Sequence, residues 1–412
     1  MIISTSTIAD KRREGSTVFF LTGGTGFIGS HIAAELLRRG YGVILLARPD
    51  KERTAEQRVE RLMRWFGIAE QSLSRLEVVE GDMDRPYLGM EAKRRRIISG
   101  RIDEVIHCAS DTSFSERKRA QVERTNVTDL SNLLKTIAES KCHFFHHIST
   151  AYVAGKKCGP LSEGFVKTEV FTNVYEETKY IAEKTVLDFC RDKDMRLNIY
   201  RPSIVYGSAR DGRTLSFNAL YYPIRVMLFL KNLYEKDIAE RGGRKAEAMS
   251  VKRQADGSIH LPIRIGVNGT GGINLIPIDF FIHVFMALME ECLTGDVFHI
   301  VNSRTTTIKT LIEYTERYFG LSGIRTVVPG SFDGLPRNAL ETLFEHYIDA
   351  YGPYIRDARV FEHDKTDAIL EKKGMRCPEM DYHIFSRCMD FAVDAGWGEF
   401  IFGDKVKEEW RK

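Results

Sequence analysis

The sequence lacks the cysteine spacing and the long apolar runs that mark disulfide-bonded, zinc-binding or membrane-spanning proteins. Its seven cysteines are scattered, odd in number and never arranged as C-x-x-C, which argues against a disulfide framework and a zinc site. No stretch of about 20 uninterrupted apolar residues occurs, so no transmembrane span is predicted. The expected setting is a reducing cytoplasm, and no metal is expected as a cofactor.

An excess of charge of one sign is also missing. The 60 basic and 57 acidic residues of the 412-residue chain leave a net charge of +3, which is too small to indicate nucleic acid as a partner. With 43% hydrophobic and 28% charged residues, the composition is that of an ordinary soluble globular protein. The length predicts two or three domains, or one domain with substantial insertions.

What the sequence does contain is a glycine-rich turn between an apolar run and an amphipathic run. Residues 18–21 read as a buried strand, and residues 31–39 have the apolar spacing of a helix. The intervening stretch Thr22-Gly23-Gly24-Thr25-Gly26-Phe27-Ile28-Gly29 allows a tight turn and the close approach of a phosphate to the start of a helix. Taken alone, the pattern also fits an ordinary tight turn.

Arg48 stands directly after the second predicted strand, residues 41–47. In dinucleotide-binding folds an acidic residue at this position bonds the adenosine ribose 2′-OH, whereas an arginine accommodates a 2′-phosphate. Arg48 therefore favours NADPH over NADH. The alternative is an arginine that is merely solvated at a strand end, and the nearby Asp50 leaves some ambiguity.

Polar and small residues also follow the next two predicted strands. Asp82 and Met83 come after the third, where they can contact the edge and the face of an adenine, although Gly81-Asp82 also fits a simple turn. Ala109 and Ser110 follow the fourth and are small enough to let a ligand approach. Because strands alternate with helices, the pattern predicts a parallel sheet that binds ligands at the carboxyl ends of its strands.

The fifth predicted strand, residues 144–148, carries two histidines and ends at a pair of hydroxyls. His146 and His147 alternate across the strand and belong to no metal-ligand pattern, so both are expected to pack. Ser149 and Thr150 lie just beyond the strand, where side chains of this kind of sheet are placed for chemistry.

Tyr175 and Lys179 are four positions apart on a predicted helix, so they lie on one helix face. A nearby ammonium favours the phenolate and is expected to lower the pKa of the tyrosine toward a catalytically useful range. Taken alone, such a pair is usually a surface coincidence. After a glycine-rich nucleotide turn and a strand ending in hydroxyls, a catalytic pair is the favoured interpretation.

Together these motifs resemble the extended short-chain dehydrogenase/reductase superfamily. They are Thr22-Gly23-x-x-Gly26-x-x-Gly29, Ser149-Thr150-Ala151-Tyr152, Tyr175-x-x-x-Lys179 and Arg201-Pro202. Within the superfamily, the chain resembles the branch of fatty acyl-CoA reductases and male-sterility NAD-binding proteins. The same branch holds the thioester reductase domains of carboxylic acid reductases and peptide synthetases. The resemblance covers roughly residues 16 to 320.

The resemblance implies specific roles for residues at the matching positions. Thr150 corresponds to the catalytic serine or threonine, with Ser149 as the alternative. Tyr175 corresponds to the proton donor, and Lys179 to the residue that holds the ribose and lowers the tyrosine pKa. The cofactor-binding residues are expected to be Thr22, Gly23, Thr25, Gly26, Phe27, Ile28, Gly29, Arg48, Asp82, Met83, Cys108, Ala109, Ser110, Asn126, Tyr175, Lys179, Pro202, Ser203 and Ile204.

The predicted architecture is an α/β, Rossmann-type doubly wound parallel sheet with a smaller C-terminal substrate-binding region and a helical extension. Residues 1–15 are expected to form a flexible N-terminal arm and residues 16–208 the NADP-binding domain. Residues 209–330 form the substrate-binding region, interleaved with returning Rossmann elements at about 270–305. Residues 331–412 form the extension, which could cover the substrate cleft or mediate assembly into a homodimer.

An apolar and aromatic segment, residues 215–234, has the pattern of an amphipathic helix. Capping of the substrate cleft and an internal core helix are equally open for it, and a membrane-surface helix is the third alternative.

The favoured function is an NADPH-dependent reduction of an acyl thioester, carried by coenzyme A or an acyl-carrier protein, to an aldehyde or alcohol. The first alternative is another extended enzyme of the superfamily, such as a nucleotide-sugar epimerase or dehydratase or a hydroxysteroid-type dehydrogenase. The second is a non-catalytic NADP-binding sensor or scaffold. Such proteins commonly lose the tyrosine or the lysine, and both are present here.

Overall fold

The computed structural model describes residues 4–268, 272–328 and 336–399. Its strands are β1 Val18–Thr22, β2 Gly42–Ala47, β3 Leu76–Glu80, β4 Glu104–His107, β5 Phe144–Ile148, β6 Gly159–Leu161, β7 Arg196–Pro202, β8 Ile204–Tyr206, β9 Lys252–Arg253, β10 Ile259–His260, β11 Arg264–Gly266, β12 Gly272–Ile273, β13 Leu275–Pro277, β14 Asp296–Ile300, β15 Thr306–Thr307, β16 Leu321–Ser322, β17 Arg325–Val327 and β18 Arg359–Phe361.

Its helices are α1 Thr5–Arg13, α2 Phe27–Arg38, α3 Ala55–Trp65, α4 Glu70–Leu73, α5 Ala92–Ser99, α6 Arg119–Glu123, α7 Asp129–Ile137, α8 Val174–Asp192, α9 Tyr221–Glu240, α10 Arg244–Ala248, α11 Ile278–Glu291, α12 Ile308–Phe319, α13 Ala339–Ile348, α14 Gly352–Ile355, α15 Asp364–Lys372 and α16 Tyr382–Asp394.

Seven strands form one parallel sheet in the order β14-β7-β5-β4-β1-β2-β3. The chain starts at a central strand, winds outward to β3, and then returns to build the other half from β4, β5 and β7. That order is the doubly wound arrangement of dinucleotide-binding folds. The predicted α/β fold class is therefore confirmed, and all seven strands present their carboxyl ends at one edge.

The helices begin where side chains satisfy their first N–H groups. Thr54 and Gln57 form a reciprocal capping box at α3, and the Asn173 side chain accepts from the Glu176 N–H at α8. The Thr307 hydroxyl caps α12 in the same way, as the sequence predicts. Such caps fix the helix start to a single residue, which determines the positions that face the sheet.

The chain divides into two compact units. The first comprises the described residues up to Ser203 with Phe280–Val301 and Val360–Arg376, and the second comprises Ile204–Asp279, Asn302–Arg359 and the described residues from Cys377. Residues 331–412 therefore do not form one separate extension, because part of them belongs to the first unit. Residues 269–271, 329–335 and 400–412 of the predicted substrate region and extension lie outside the described residues.

The core of the first unit lies where α5, α7 and α8 cover the sheet. Its buried residues include Leu130, Leu133, Leu134 and Ile137 of α7, which the helical spacing predicts to be core. Strand residues such as Phe145 are fully buried, as expected for a parallel sheet whose strands are covered on their faces.

The predicted flexible arm is wrong for residues 5–13, which form α1 and dock on the first unit. Ile8 is buried, and the Arg12 guanidinium donates two hydrogen bonds to the Glu104 carboxylate, at 2.9 and 2.6 Å. Arg12 also donates to the Met289 carbonyl. A polar, charged sequence forms this ordered helix because a buried ion pair, rather than an apolar stripe, holds it in place.

The second unit contains α9, the amphipathic segment that the sequence analysis left open between two interpretations. Leu230 and Tyr234 are buried in the core of this unit together with residues of α12 and α13, which makes α9 a core helix of the unit. Phe229 and Leu233 remain exposed on its other side. Its role at the substrate stays a prediction.

A late segment of the chain is fastened inside the first unit by a single buried carboxylate. Glu163 accepts hydrogen bonds from the backbone N–H groups of His299 and Lys365 and from the Thr366 hydroxyl, at 2.8, 2.7 and 2.6 Å. The carboxylate therefore caps α15. Strand β18 pairs with β6 directly before this helix, so residues 359–372 complete the region that follows Thr150.

Candidate active site

The turn between β1 and α2 can be built only with glycine at two positions. A Cβ at Gly23, whose φ is +72°, would lie 2.5 Å from the Ala109 nitrogen, and one at Gly29 would lie 2.2 Å from the Gly23 carbonyl oxygen. Gly26 precedes α2 and provides no side-chain cap, so the first N–H groups of the helix, at Phe27 and Ile28, are left to an anion. This cradle fits the pyrophosphate of a dinucleotide.

Thr22 and Thr25 occupy different environments in this turn. The Thr22 hydroxyl is fully buried and lies 2.8 Å from the His107 Nδ1, in hydrogen-bonding contact. Its side chain therefore holds β1 to β4, so that any cofactor contact by Thr22 would have to use its backbone. Thr25 is half-buried beside the exposed Gly26.

Arg48 is exposed at the end of β2, with its guanidinium 3.5 Å from the Asp82 carboxylate. A second cation lies beside it, because Arg58 donates to the Arg48 carbonyl at 2.5 Å and has its Nε 3.4 Å from Asp50. The sequence analysis missed Arg58. The capping box that starts α3 at Ala55 was the available signal, since it places Arg58 in the first turn of that helix, near the end of β2.

Asp82 and Met83 lie at the carboxyl end of β3. The Asp82 N–H donates to the Leu88 carbonyl, and the Met83 carbonyl accepts from the Asn132 side chain at 2.8 Å. The Met83 side chain packs in part against the core of the first unit. Both residues are held in the predicted place, and their contact with an adenine remains a prediction.

Cys108, Ala109 and Ser110 follow β4, and Asn126 fixes the loop that they begin. The Asn126 oxygen accepts from the Ser110 hydroxyl and the Asp111 N–H, at 3.0 and 2.7 Å. Its amide nitrogen donates to the Asp111 carbonyl and to the Thr178 hydroxyl, both at 2.9 Å. Asn126 thus connects the strand-end loop to α8 rather than presenting a free side chain.

Thr150 and Tyr175 are brought together at the carboxyl end of β5. Their side chains are hydrogen bonded to one another, and the Thr150 hydroxyl also accepts from the Tyr152 N–H at 3.3 Å. Burial raises the pKa of Tyr175 above its ordinary value, and the hydrogen bond with Thr150 only partly offsets this rise. The expected lowering of the tyrosine pKa is therefore wrong for the free protein.

Lys179 is buried one turn along α8 from Tyr175. Its ammonium donates to the Ile148 carbonyl at 2.6 Å. Burial lowers the pKa of Lys179 to about 8, against opposing contributions from Cys108 and Glu183. The lysine thus lies near the catalytic pair, with its charge directed at the end of β5.

The last predicted residues lie around the end of β7. Pro202 closes that strand, and Ser203 donates its N–H to the Ile300 carbonyl at 3.1 Å. The Ser203 hydroxyl is buried, and no hydrogen-bond partner for it occurs among the described residues, as expected for a side chain that contacts a ligand. Ile204 begins β8 in the second unit.

The described residues contain no group of three or more histidine, cysteine, aspartate or glutamate side chains arranged to hold a metal ion. In the same part of the chain, no helix combines the length and the apolar character needed to cross a membrane.

Comparison of sequences gives a family match over well over half of the chain. The family described as Male sterility protein matches residues 21–282. A linear gramicidin synthase of Brevibacillus parabrevis is 22% identical over 410 residues, which are 94% of this chain and 7% of that protein. Fatty acyl-CoA reductase wat of Drosophila melanogaster is 26% identical over 244 residues, 51% of this chain and 47% of that protein. The chain spans less than half the length of either relative.

Solved structures match the fold over nearly the whole chain. The terminal R domain from the myxalamid PKS-NRPS biosynthetic pathway has a TM-score of 0.70 at 19% identity, covering 95% of this chain and 98% of that one. UDP-glucuronic acid 4-epimerase from Bacillus cereus, in complex with NAD, has a TM-score of 0.60 at 18% identity, covering 92% and 100%. At these identities the likeness concerns the Rossmann-type fold.

Proposed function

The chain belongs to the Male sterility protein family within the extended short-chain dehydrogenase/reductase superfamily, and on that premise we propose that it reduces acyl thioesters with NADPH. It is an NAD(P)-dependent oxidoreductase. The thioester substrate, the choice of NADPH and the roles of individual residues are our proposals. The observation that carries them is the hydrogen-bonded pair of Thr150 and Tyr175 in the same unit as the glycine cradle.

The chain's own residues supply the acid chemistry of the reaction. When bound, NADPH supplies a hydride to the thioester carbonyl. The Tyr175 phenol, whose pKa is raised by burial, stays protonated at neutral pH and can give its proton to the developing oxyanion. The Thr150 hydroxyl donates a hydrogen bond to the same oxygen. The resulting hemithioacetal separates into an aldehyde and the free thiol of coenzyme A or a carrier protein.

The choice of NADPH is supported by Arg48 and Arg58 at the end of β2. Replacing Arg48 by glutamine should weaken NADPH binding about tenfold or more while changing NADH binding much less. A hydrogen bond to a charged group is worth about 1.5–3 kcal/mol, and only NADPH carries the 2′-phosphate. Calorimetric titration of the variant with each nucleotide measures the difference. Arg64→Gln, which removes an exposed arginine of the same helix as Arg58, should change neither affinity.

Equal weakening of NADPH and NADH by Arg48→Gln would mean that Arg48 only supports the fold at the strand end. The salt bridge with Asp82 is exposed and weak, so its loss alone cannot produce a large selective effect.

The substrate class is tested by the loss of NADPH absorbance with different acceptors. Acyl-CoA thioesters of several chain lengths should support NADPH oxidation, with release of free thiol in equal amount. UDP-sugars and hydroxysteroids should not alter the NADPH or NADP⁺ signal. Turnover of a UDP-sugar or a hydroxysteroid without activity on any thioester would instead assign the chain to another branch of the superfamily. Binding of NADPH without any turnover would favour a sensor.

A further inference from the structure

Two buried side chains beside the catalytic lysine have polar atoms without a protein partner. Both ring nitrogens of His147 and the hydroxyl of Ser149 are buried, and no described residue lies within hydrogen-bonding distance of them. Buried polar atoms in native proteins are nearly always hydrogen bonded, either to protein or to ordered water. An imidazole and a hydroxyl left without any partner would each destabilise the fold.

These atoms flank the group that holds Lys179. His147 and Ser149 are the residues on either side of Ile148, whose carbonyl accepts the Lys179 ammonium at 2.6 Å. In a strand, residues two positions apart point to the same face of the sheet. His147 also stacks on His107, its partner in β4, with ring centroids 5.4 Å apart.

No unpaired carboxylate among the described residues faces the Lys179 ammonium. The groups that interact with it electrostatically are Cys108 after β4, His107 in β4, His147 in β5 and Glu183 on its own helix. Glu183 is held by two hydrogen bonds from Arg201 on β7, at 2.8 and 2.6 Å. Burial keeps His107 and His147 neutral by lowering the pKa of each imidazole. The ammonium therefore needs neutral acceptors to keep its charge at this depth.

We propose that His147 and Ser149 bind ordered water that hydrates the Lys179 ammonium, so that both act as positioning residues for the catalytic lysine. A lysine has three N–H donors, and the Ile148 carbonyl accepts only one of them. Water held between the imidazole, the hydroxyl and the ammonium satisfies the unpartnered atoms on both sides. Because the inference concerns Lys179 as a functional group, it rests on the proposed function.

The proposal predicts the direction in which the lysine titration moves. Hydrogen bonds to the charged form of a group favour that form, so removing the water's protein partners disfavours the ammonium. Ser149→Ala and His147→Leu should therefore move the alkaline limb of NADPH binding, and of NADPH oxidation, to lower pH by about one unit. Binding is measured by calorimetry and oxidation by absorbance, from about pH 6 to about pH 10.

His143→Leu is the matched control. His143 lies just before β5, at the opposite end of the strand from Lys179, and its two ring nitrogens also lack a partner among the described residues. Its replacement should leave both alkaline limbs where they are in the wild type. An equal shift in His143→Leu would trace the effect to a general loss of stability and overturn the proposal.

Unchanged alkaline limbs in Ser149→Ala would also overturn the proposal. This variant removes one hydroxyl and folds more readily than His147→Leu, so it keeps the test decisive if the histidine variant is insoluble. The binding measurement needs no substrate. A shift in NADPH binding in a protein that oxidises NADPH with no thioester would support the water site and reject the reductase assignment.

Discussion

Replacing Tyr175 by phenylalanine should lower kcat by about 10²–10⁴-fold, the usual contribution of a positioned general acid, with little effect on NADPH affinity. The phenol is the proton donor of the proposed reaction, and Thr150 is hydrogen bonded to it. Phenylalanine keeps the ring and its contact with Phe114, where the centroids are 5.8 Å apart. Only the acidic proton and the hydrogen bond are lost.

Tyr180→Phe offers a matched control on the same helix. Tyr180 is half-buried and packs its ring against Phe171 at 5.3 Å, so the substitution removes a hydroxyl without touching the catalytic pair. Steady-state rates of NADPH oxidation, with NADPH affinity from calorimetry, should separate the two variants. If Tyr175→Phe and Tyr180→Phe turned over equally, another residue would have to donate the proton.

Replacing Arg12 by leucine should destabilise the fold by about 3–5 kcal/mol, because it leaves the Glu104 carboxylate buried without its cation. The two side chains are 4% and 1% exposed. The adjacent Arg13 is the control, since its ion pair with Asp10 is largely exposed and such pairs contribute about 0–1 kcal/mol. Midpoints of urea unfolding compare Arg12→Leu with Arg13→Leu, and equal midpoints would contradict the prediction.

The effect of Arg12→Leu should also depend on pH. Burial alone would raise the pKa of Glu104, but its hydrogen bond with His146 and the charge of Arg12 bring the pKa down to about 2. The unfolded chain has an ordinary glutamate pKa of about 4.3. The stabilisation is thus fully present above about pH 5 and is lost as the pH falls toward 2. The difference between wild type and variant should shrink in that range.

The parallel sheet could be predicted from the sequence because its strands are buried on both faces. Such strands read as continuous apolar runs separated by amphipathic helices, and the runs at β1, β2 and β5 show this directly. The glycine turn was predictable for a related reason, since a backbone that approaches another backbone closely tolerates only glycine at Gly23 and Gly29.

Features that depend on partners distant in the chain could not be predicted in the same way. Arg12 and Glu104 are 92 positions apart, and a helix held by one buried ion pair looks like a solvated arm in the sequence. Strands β6 and β18 have three residues each, too few to produce an alternating pattern.

At the candidate site, spacing identified the residues but not their electrostatics. Tyr175 and Lys179 share a helix face, yet the Lys179 ammonium is directed to the Ile148 carbonyl. Burial then determines the direction of the tyrosine pKa. Desolvation depends on the whole surrounding fold, whereas a helical repeat reports only which residues lie side by side.

The carboxylate of Glu163 has a consequence for the order in which the protein is made. Thr366, whose hydroxyl donates to it, follows 203 positions later. At about 5–20 residues per second, synthesis needs about 10–40 s to cover that distance. During this interval Glu163 must remain hydrated, and the region after Thr150 is without its neighbouring strand and helix. The catalytic end of β5 is therefore among the last parts of the first unit to be completed on a growing chain.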